Sequence, residues 1–135
     1  MTKRELKEYC WIKANINDLE ERLVELETQA QKMTTTLSLE PGGGCGYQDK
    51  MAKAVAEVIE CQDMINTNII AMRKLERKIE EAIEVLPERE KYLMRLRYIR
   101  CLTWEQVVEK MGYSWVQTHH IHGQALYLIQ NPKTE

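Results

Sequence analysis

The sequence predicts an all-α protein in which a long antiparallel, coiled-coil-like helical hairpin precedes a C-terminal three-helix unit of helix-turn-helix type. Three observations point there. Apolar residues recur at alternating steps of three and four over two long stretches, a Pro/Gly-rich break separates those stretches, and beyond Leu86-Pro87 the pattern changes to short segments with their own start and stop signals.

The first stretch runs through Tyr9, Ile12, Ile16, Leu19, Leu23, Leu26, Ala30, Met33 and Leu37. This is a heptad seam, with Glu20, Glu21, Glu25, Glu27 and Gln31 on the other faces, and it predicts one helix from Thr2 to Leu37. Residues 38–49 break it, because Pro41 cannot continue a helix and four glycines favour open backbone. A glycine-rich loop can cradle phosphates, but no Gly-Lys-Ser/Thr follows to hold one, so nucleotide binding is not expected. Periodicity resumes through Met51, Val55, Val58, Ile65, Ile69, Met72, Ile79, Ile83 and Leu86, with Gln62 and Glu76 interrupting the seam. Two such helices can fold back on one another. A lone pair buries apolar side chains on one side only, so the leftover stripes are expected to meet a second copy of the chain.

Residues 1–86 are therefore read as a dimerisation or interaction region and residues 87–135 as a second domain. Pro87 suits the first turn of a new helix, followed by Glu88 and Glu90, which the N-terminal dipole favours. Tyr92, Leu93, Leu96 and either Tyr98 or Ile99 supply its buried side. Thr103 is an N-cap for Trp104–Met111, with Gln106 completing a capping box. Gly112 ends that helix, Tyr113 follows as an apolar turn residue, and Ser114 caps a helix running to about Gln130 before Pro132. A short helix, a Gly-centred turn and a longer helix is the helix-turn-helix plan, whose second helix enters the major groove. Val107, Val108, Met111, Tyr113, Thr118, Ile121 and Ala125 are expected to hold the pair together, leaving Trp115, Val116, Gln117, His119, His120 and Gln124 outward.

Composition narrows the function classes. Of 135 residues, 44% are hydrophobic and 30% charged, and the mean hydropathy of −0.50 fits a soluble, cytoplasmic chain with no membrane association. Net charge is −2, but residues 87–135 carry seven Lys/Arg against five acids while residues 1–86 carry twelve against sixteen. Cys10, Cys45, Cys61 and Cys101 form no Cys-x-x-Cys pair, so reduced thiols are expected and neither a zinc site nor a redox motif. His119, His120 and His122 make a His-rich patch, yet lack further ligands for a metal. No catalytic constellation emerges; Ser114 is explained as a cap, and no enzyme activity or cofactor is expected.

The runs Leu86-Pro-Glu-Arg-Glu-Lys-Tyr-Leu-Met-Arg-Leu-Arg-Tyr98, Thr103-Trp-Glu-Gln-Val-Val-Glu-Lys-Met-Gly-Tyr-Ser114 and His122-Gly-Gln-Ala-Leu126 resemble region 4 of sigma-70 factors. They are more similar still to small phage and prophage proteins of Gram-positive bacteria, the late-gene transcription regulators of the RinA and ArpU type. The likeness spans nearly the whole chain, includes the Thr36-Leu-Ser turn, and is strongest from Leu86 to Leu128. It departs from sigma factors at Val108, where they place Ala, and at Trp115, Val116 and Gln117, where they favour basic residues.

The resemblance implies that Trp104–Met111 supports and that Ser114–Ile121 begins the DNA-reading helix. Ser114, Trp115, Gln117, Thr118, His119, His120 and Gln124 are then the candidate base and sugar contacts, and Arg95, Arg97, Arg100 and Lys110 the candidate phosphate contacts. The implied partners are double-stranded DNA, a second copy of the chain and RNA polymerase. Two other functions compete: a DNA-recognition subunit for packaging, like a small terminase, and a protein-interaction module that docks on RNA polymerase without touching DNA.

Overall fold

The structure, a computed structural model, describes residues 1–39 and 45–131, and the side chains among them other than those of 34–39 and 45–47. It is all-helical. Helices α1 (Lys3–Leu39) and α2 (Cys45–Ile83) are long; α3 (Glu88–Met94) runs into a π-helical turn (Arg95–Ile99) and is followed by α4 (Trp104–Met111) and α5 (Trp115–Gln130). No strand occurs among the described residues, and no helix there is long and apolar enough to cross a membrane. The break expected over residues 38–49 is shorter than its composition suggests, since α1 continues to Leu39 and α2 starts at Cys45. The first turn of a helix has unpaired N–H groups in any case, so Gly46 costs little there. Pro41 and the glycines at 42–44 lie outside the described residues.

Two compact units form, Met1–Lys13 with Ala71–Glu135, and Ala14–Ile70. In the unit Ala14–Ile70, Leu26, Cys61 and Ile65 are buried, with Leu19, Leu23, Val58 and Ile69 packed around them. The Cys61 thiol donates to the Leu19 carbonyl at 3.4 Å, so a cysteine takes the buried place the heptad count assigned to Gln62, which is exposed. Val55 is likewise off the seam, 45% exposed, and Ile59 (51%) and Ile70 (70%) also face outward.

The unit Met1–Lys13 with Ala71–Glu135 has the larger core. Leu6 and Tyr9 of α1 and Ile79 and Ile83 of α2 join Leu93, Met94, Leu96, Tyr98, Val107, Ile121, Ala125 and Ile129 in one cluster. Fully burying an aliphatic side chain of this size contributes roughly 1.5–3 kcal/mol, so α3 to α5 draw much of their stability from the ends of the long helices.

The π-turn follows from the same burial. Leu93, Met94, Leu96 and Tyr98 are all buried, and at about 100° per residue an α-helix would spread these positions over roughly 200° of its circumference. The wider turn carries Tyr98 back between Leu93 and Met94 and leaves Ile99 half-buried, while Tyr92, expected inside, is 46% exposed. The amide of Arg100 donates to the Arg95 carbonyl at 2.9 Å and that of Leu102 to Leu96 at 3.1 Å. The segment ends at Cys101, a non-glycine residue in the left-handed region with φ 57°.

Cys101 is also half of a disulfide with Cys10, across 91 residues of sequence and a Cα separation of 5.7 Å. The expectation of reduced thiols is corrected for these two. Spacing along the chain carries no information on a pair that only tertiary folding brings together. Cys61 is free and buried.

Candidate nucleic-acid interface

Helix α4 is held at both ends by its own sequence. The Thr103 hydroxyl accepts from the Gln106 amide at 3.3 Å, and Gln106 Oε1 accepts from the Thr103 amide at 3.0 Å, closing the capping box. Gly112 ends the helix at φ 75°, the left-handed conformation that favours glycine, and its amide donates to the Val108 carbonyl at 3.1 Å. Two residues on, Ser114 Oγ accepts from the Gln117 amide at 3.1 Å and starts α5. Three ordinary local rules thus fix where α5 begins and which way its first turns face.

Along α5, Thr118, Ile121, His122, Ala125 and Ile129 are buried, with Val107 of α4 in the same core. Trp115 (48% exposed) and Val116 (77%) lie outward, together with Gln117, His120 and Gln124. His120 Nε2 and the Gln124 amide nitrogen are 3.5 Å apart, one helical turn along the same exposed stripe. Tyr113, expected to pack between the helices, is 42% exposed, and the Arg89 guanidinium sits 5.8 Å from its ring centroid.

Four of the candidate contacts are enclosed by, or bound to, other residues of the protein. Thr118 is fully enclosed, with no hydrogen-bond partner for Oγ1 among the described residues, so it packs the core and cannot reach a ligand outside. His119 is half-buried, its ring 4.2 Å from the centroid of Trp104 and 4.7 Å from that of Trp115. Its Nε2 is enclosed without a partner among the described residues. Arg97 lies 4.7 Å over the Trp104 ring and donates to the Leu102 carbonyl at 2.7 Å, which makes it a clamp on the loop before α4. Arg95 pairs with Glu80 at 3.0 Å. Arg100 and Lys110 are exposed and form no ion pair among the described residues.

His122 departs furthest from expectation. Part of the His-rich patch in sequence, it is nevertheless only 6% exposed, with Nε2 2.7 Å from the Tyr98 hydroxyl. Trp104 meets it edge-on at 4.8 Å. Burial pushes its pKa down to about 4, helped by the positive charges of Lys3, Arg97 and Lys7 and by His119, so the ring is neutral at pH 7. Burial also raises the Tyr98 pKa, and the pair is a hydrogen bond between two neutral groups. The histidines therefore divide into an inward one, a sandwiched one and an outward one. No group of three or more His, Cys, Asp or Glu is placed to hold a metal ion among the described residues.

Sequence reasoning missed the Tyr98–His122 pair and the column Arg97–Trp104–His119–Trp115. Helical spacing sets His120 about 160° from His122, which was the available signal for those two, but leaves His119 and His122 only about 60° apart. A cleft of about 630 Å³ opens beside this face, with Glu90, His120, Gln124 and Tyr127 in its wall. Glu90 is buried there and its carboxylate is held by Arg89 at 2.8 Å.

Neither a family model, nor a curated protein, nor a solved structure matches the chain.

Proposed function

We propose that the chain is a sequence-specific double-stranded DNA-binding regulator of phage or prophage transcription, acting in the cytoplasm, with α4 and α5 as a sigma region 4-like helix-turn-helix. One observation carries the reading. The outward stripe of α5 presents an indole, amides and an imidazole, and residues 111–132 contain no acidic side chain at all. Phosphates would meet no acid along α5 itself, Glu90 in the neighbouring cleft wall is buried and paired with Arg89, and Gln117 and Gln124 can hydrogen-bond base edges, adenine above all. Arg100 and Lys110 supply phosphate contacts, and Ser114 and Trp115 sit where sugar or a thymine methyl can be touched.

A homodimer through α1 and α2 fits the same reading, because Val55, Ile59 and Met64 are each about half exposed on α2. Two protomers would read half-sites roughly 34 Å apart or a multiple of it. One feature favours the rival protein-docking reading, on RNA polymerase for instance: the exposed front holds Val116 and Tyr127 but neither Lys nor Arg.

The test is selection from a randomised duplex pool, followed by salt titration of the enriched sequence and light scattering of the complex. Two free cations per protomer give a slope of log K against log salt of about −2 for a monomer and about −4 for a dimer. Gln117→Ala with His120→Ala should abolish the sequence preference and leave that slope in place. No enrichment even at low salt moves the assignment to protein docking.

A further inference from the structure

We propose that the Cys10–Cys101 disulfide is a reversible thiol–disulfide exchange site, worked by a low-molecular-weight thiol that carries carboxylates. The inference is independent of the DNA-binding reading.

The bridge joins the third turn of α1 to the loop between the π-turn and α4. Both cysteines are partly exposed and line an opening of about 280 Å³, whose wall also contains Lys7, Trp11, Arg97 and Tyr98. A small thiol can reach the sulfurs from that side. Two cations, Lys7 and Arg97, rim the opening and no acid does. Thiolates are the reactive species in exchange, and neighbouring positive charge favours both the attacking thiolate and the one that leaves. The same charge favours an anionic thiol compound over a neutral one.

The reduced state is provided for as well. Cys10 Sγ lies 3.2 Å from the Tyr98 carbonyl and 3.9 Å from that of Arg97. Cys101 Sγ lies 3.7 Å from the carbonyls of Tyr98 and of Ile99. Backbone carbonyls therefore lie close to both sulfurs, as acceptors that the thiols can turn to once the bridge opens and the sulfurs move apart. Cys101 also stands at φ 57°, a left-handed backbone state that a non-glycine residue rarely adopts. Thr103, the cap of α4, is two residues away.

The chemistry balances as two exchanges. A thiolate attacks one bridge sulfur, forming a mixed disulfide and expelling the other cysteine as a thiolate, which takes up a proton. A second thiolate attacks the sulfur of the bound small thiol, releasing the second cysteine, which is also protonated, and a small-molecule disulfide. The protein gains two electrons and two protons, and two small thiols are oxidised to one disulfide; the reverse sequence closes the bridge. In compartments where glutathione keeps thiols reduced, the disulfides that do form are mostly of this transient kind.

The full chain is incubated natively in glutathione buffers of graded reduced-to-oxidised ratio, quenched with acid, alkylated and weighed by mass spectrometry with peptide mapping of Cys10 and Cys101. The expected result is a smooth passage within that series from bridged chain to chain carrying two further alkyl groups, on Cys10 and Cys101, with helical circular dichroism retained. Lys7→Glu should slow opening by glutathione roughly tenfold and opening by neutral 2-mercaptoethanol by clearly less. A bridge that opens only when the protein is unfolded is a permanent crosslink, and one that never closes at the oxidised end is no bridge in solution; either overturns the proposal. Equal slowing with both thiols, or none, overturns the anionic-thiol assignment.

Discussion

Acidification tests the buried His122 quantitatively. An imidazole titrates near 6.5 in the unfolded chain, and in the folded protein burial lowers it to about 4. Between those values the unfolded state binds a proton that the folded state does not, so stability is present in full above pH 6.5 and is lost as pH falls towards 4. At 1.36 kcal/mol per unit, the whole window is worth about 3 kcal/mol, of which about 2 kcal/mol is lost between roughly pH 7.5 and roughly pH 5. The control is His122→Gln, whose side-chain oxygen can still accept from the Tyr98 hydroxyl but does not titrate. Urea unfolding of both proteins at the two pH values, with the disulfide intact, gives four free energies. Carboxylates elsewhere contribute equally to both chains and cancel in the difference. The wild type should lose about 2 kcal/mol more than the variant on acidification. Losses equal to within about 0.5 kcal/mol would mean that His122 is not held neutral by burial, and the packing of Tyr98 and Trp104 around it would have to be abandoned.

Two local substitutions probe how α4 is set between its neighbours. Thr103→Ala removes the side-chain half of the capping box and should cost about 1 kcal/mol in urea unfolding, with Thr103→Ser nearly neutral; an unchanged midpoint for the alanine variant would show that the cap contributes nothing. Gly112→Ala meets no atom within 4 Å of the added Cβ, so its cost is the left-handed backbone alone. About 1 kcal/mol is expected, seen as a fall in Tm of about 4 °C, and a rise in Tm would place that turn in a different conformation.

The helical character of the chain was legible because burial and period coincide along α1, where Tyr9, Ile16 and Leu26 are buried at the spacing the heptad count assigns them. On α2 the same count slipped by one at Gln62, since a cysteine can serve as a small apolar residue and composition alone cannot choose between neighbours. The caps at Thr103 and Ser114 and the stop at Gly112 were readable for a local reason. Each is a side chain or a backbone angle acting on amides within three or four residues of itself.

What escaped was everything that depends on distant segments meeting. The pairing of Cys10 with Cys101, the ion pair of Arg95 with Glu80 and the bond of Tyr98 to His122 each join residues fifteen or more positions apart. For Arg97, the sequence displays a cation but not the ring beneath it, so a structural clamp and a phosphate ligand look alike. Thr118 was read both ways, as a core position of the helix pair and as a polar contact, and its full burial bears out the first and removes the second.

A π-turn is what remains when one residue is added to an α-helix whose flanking turns keep their places. Arg95–Ile99 has that form, and the Tyr98 that reaches His122 and the Cys101 that reaches Cys10 lie within it and just past it. The buried hydrogen bond and the bridge therefore both depend on this one turn. A descendant that lost a single residue from this turn would rotate the following positions by about 100°, surrendering the buried hydrogen bond and the bridge in one event.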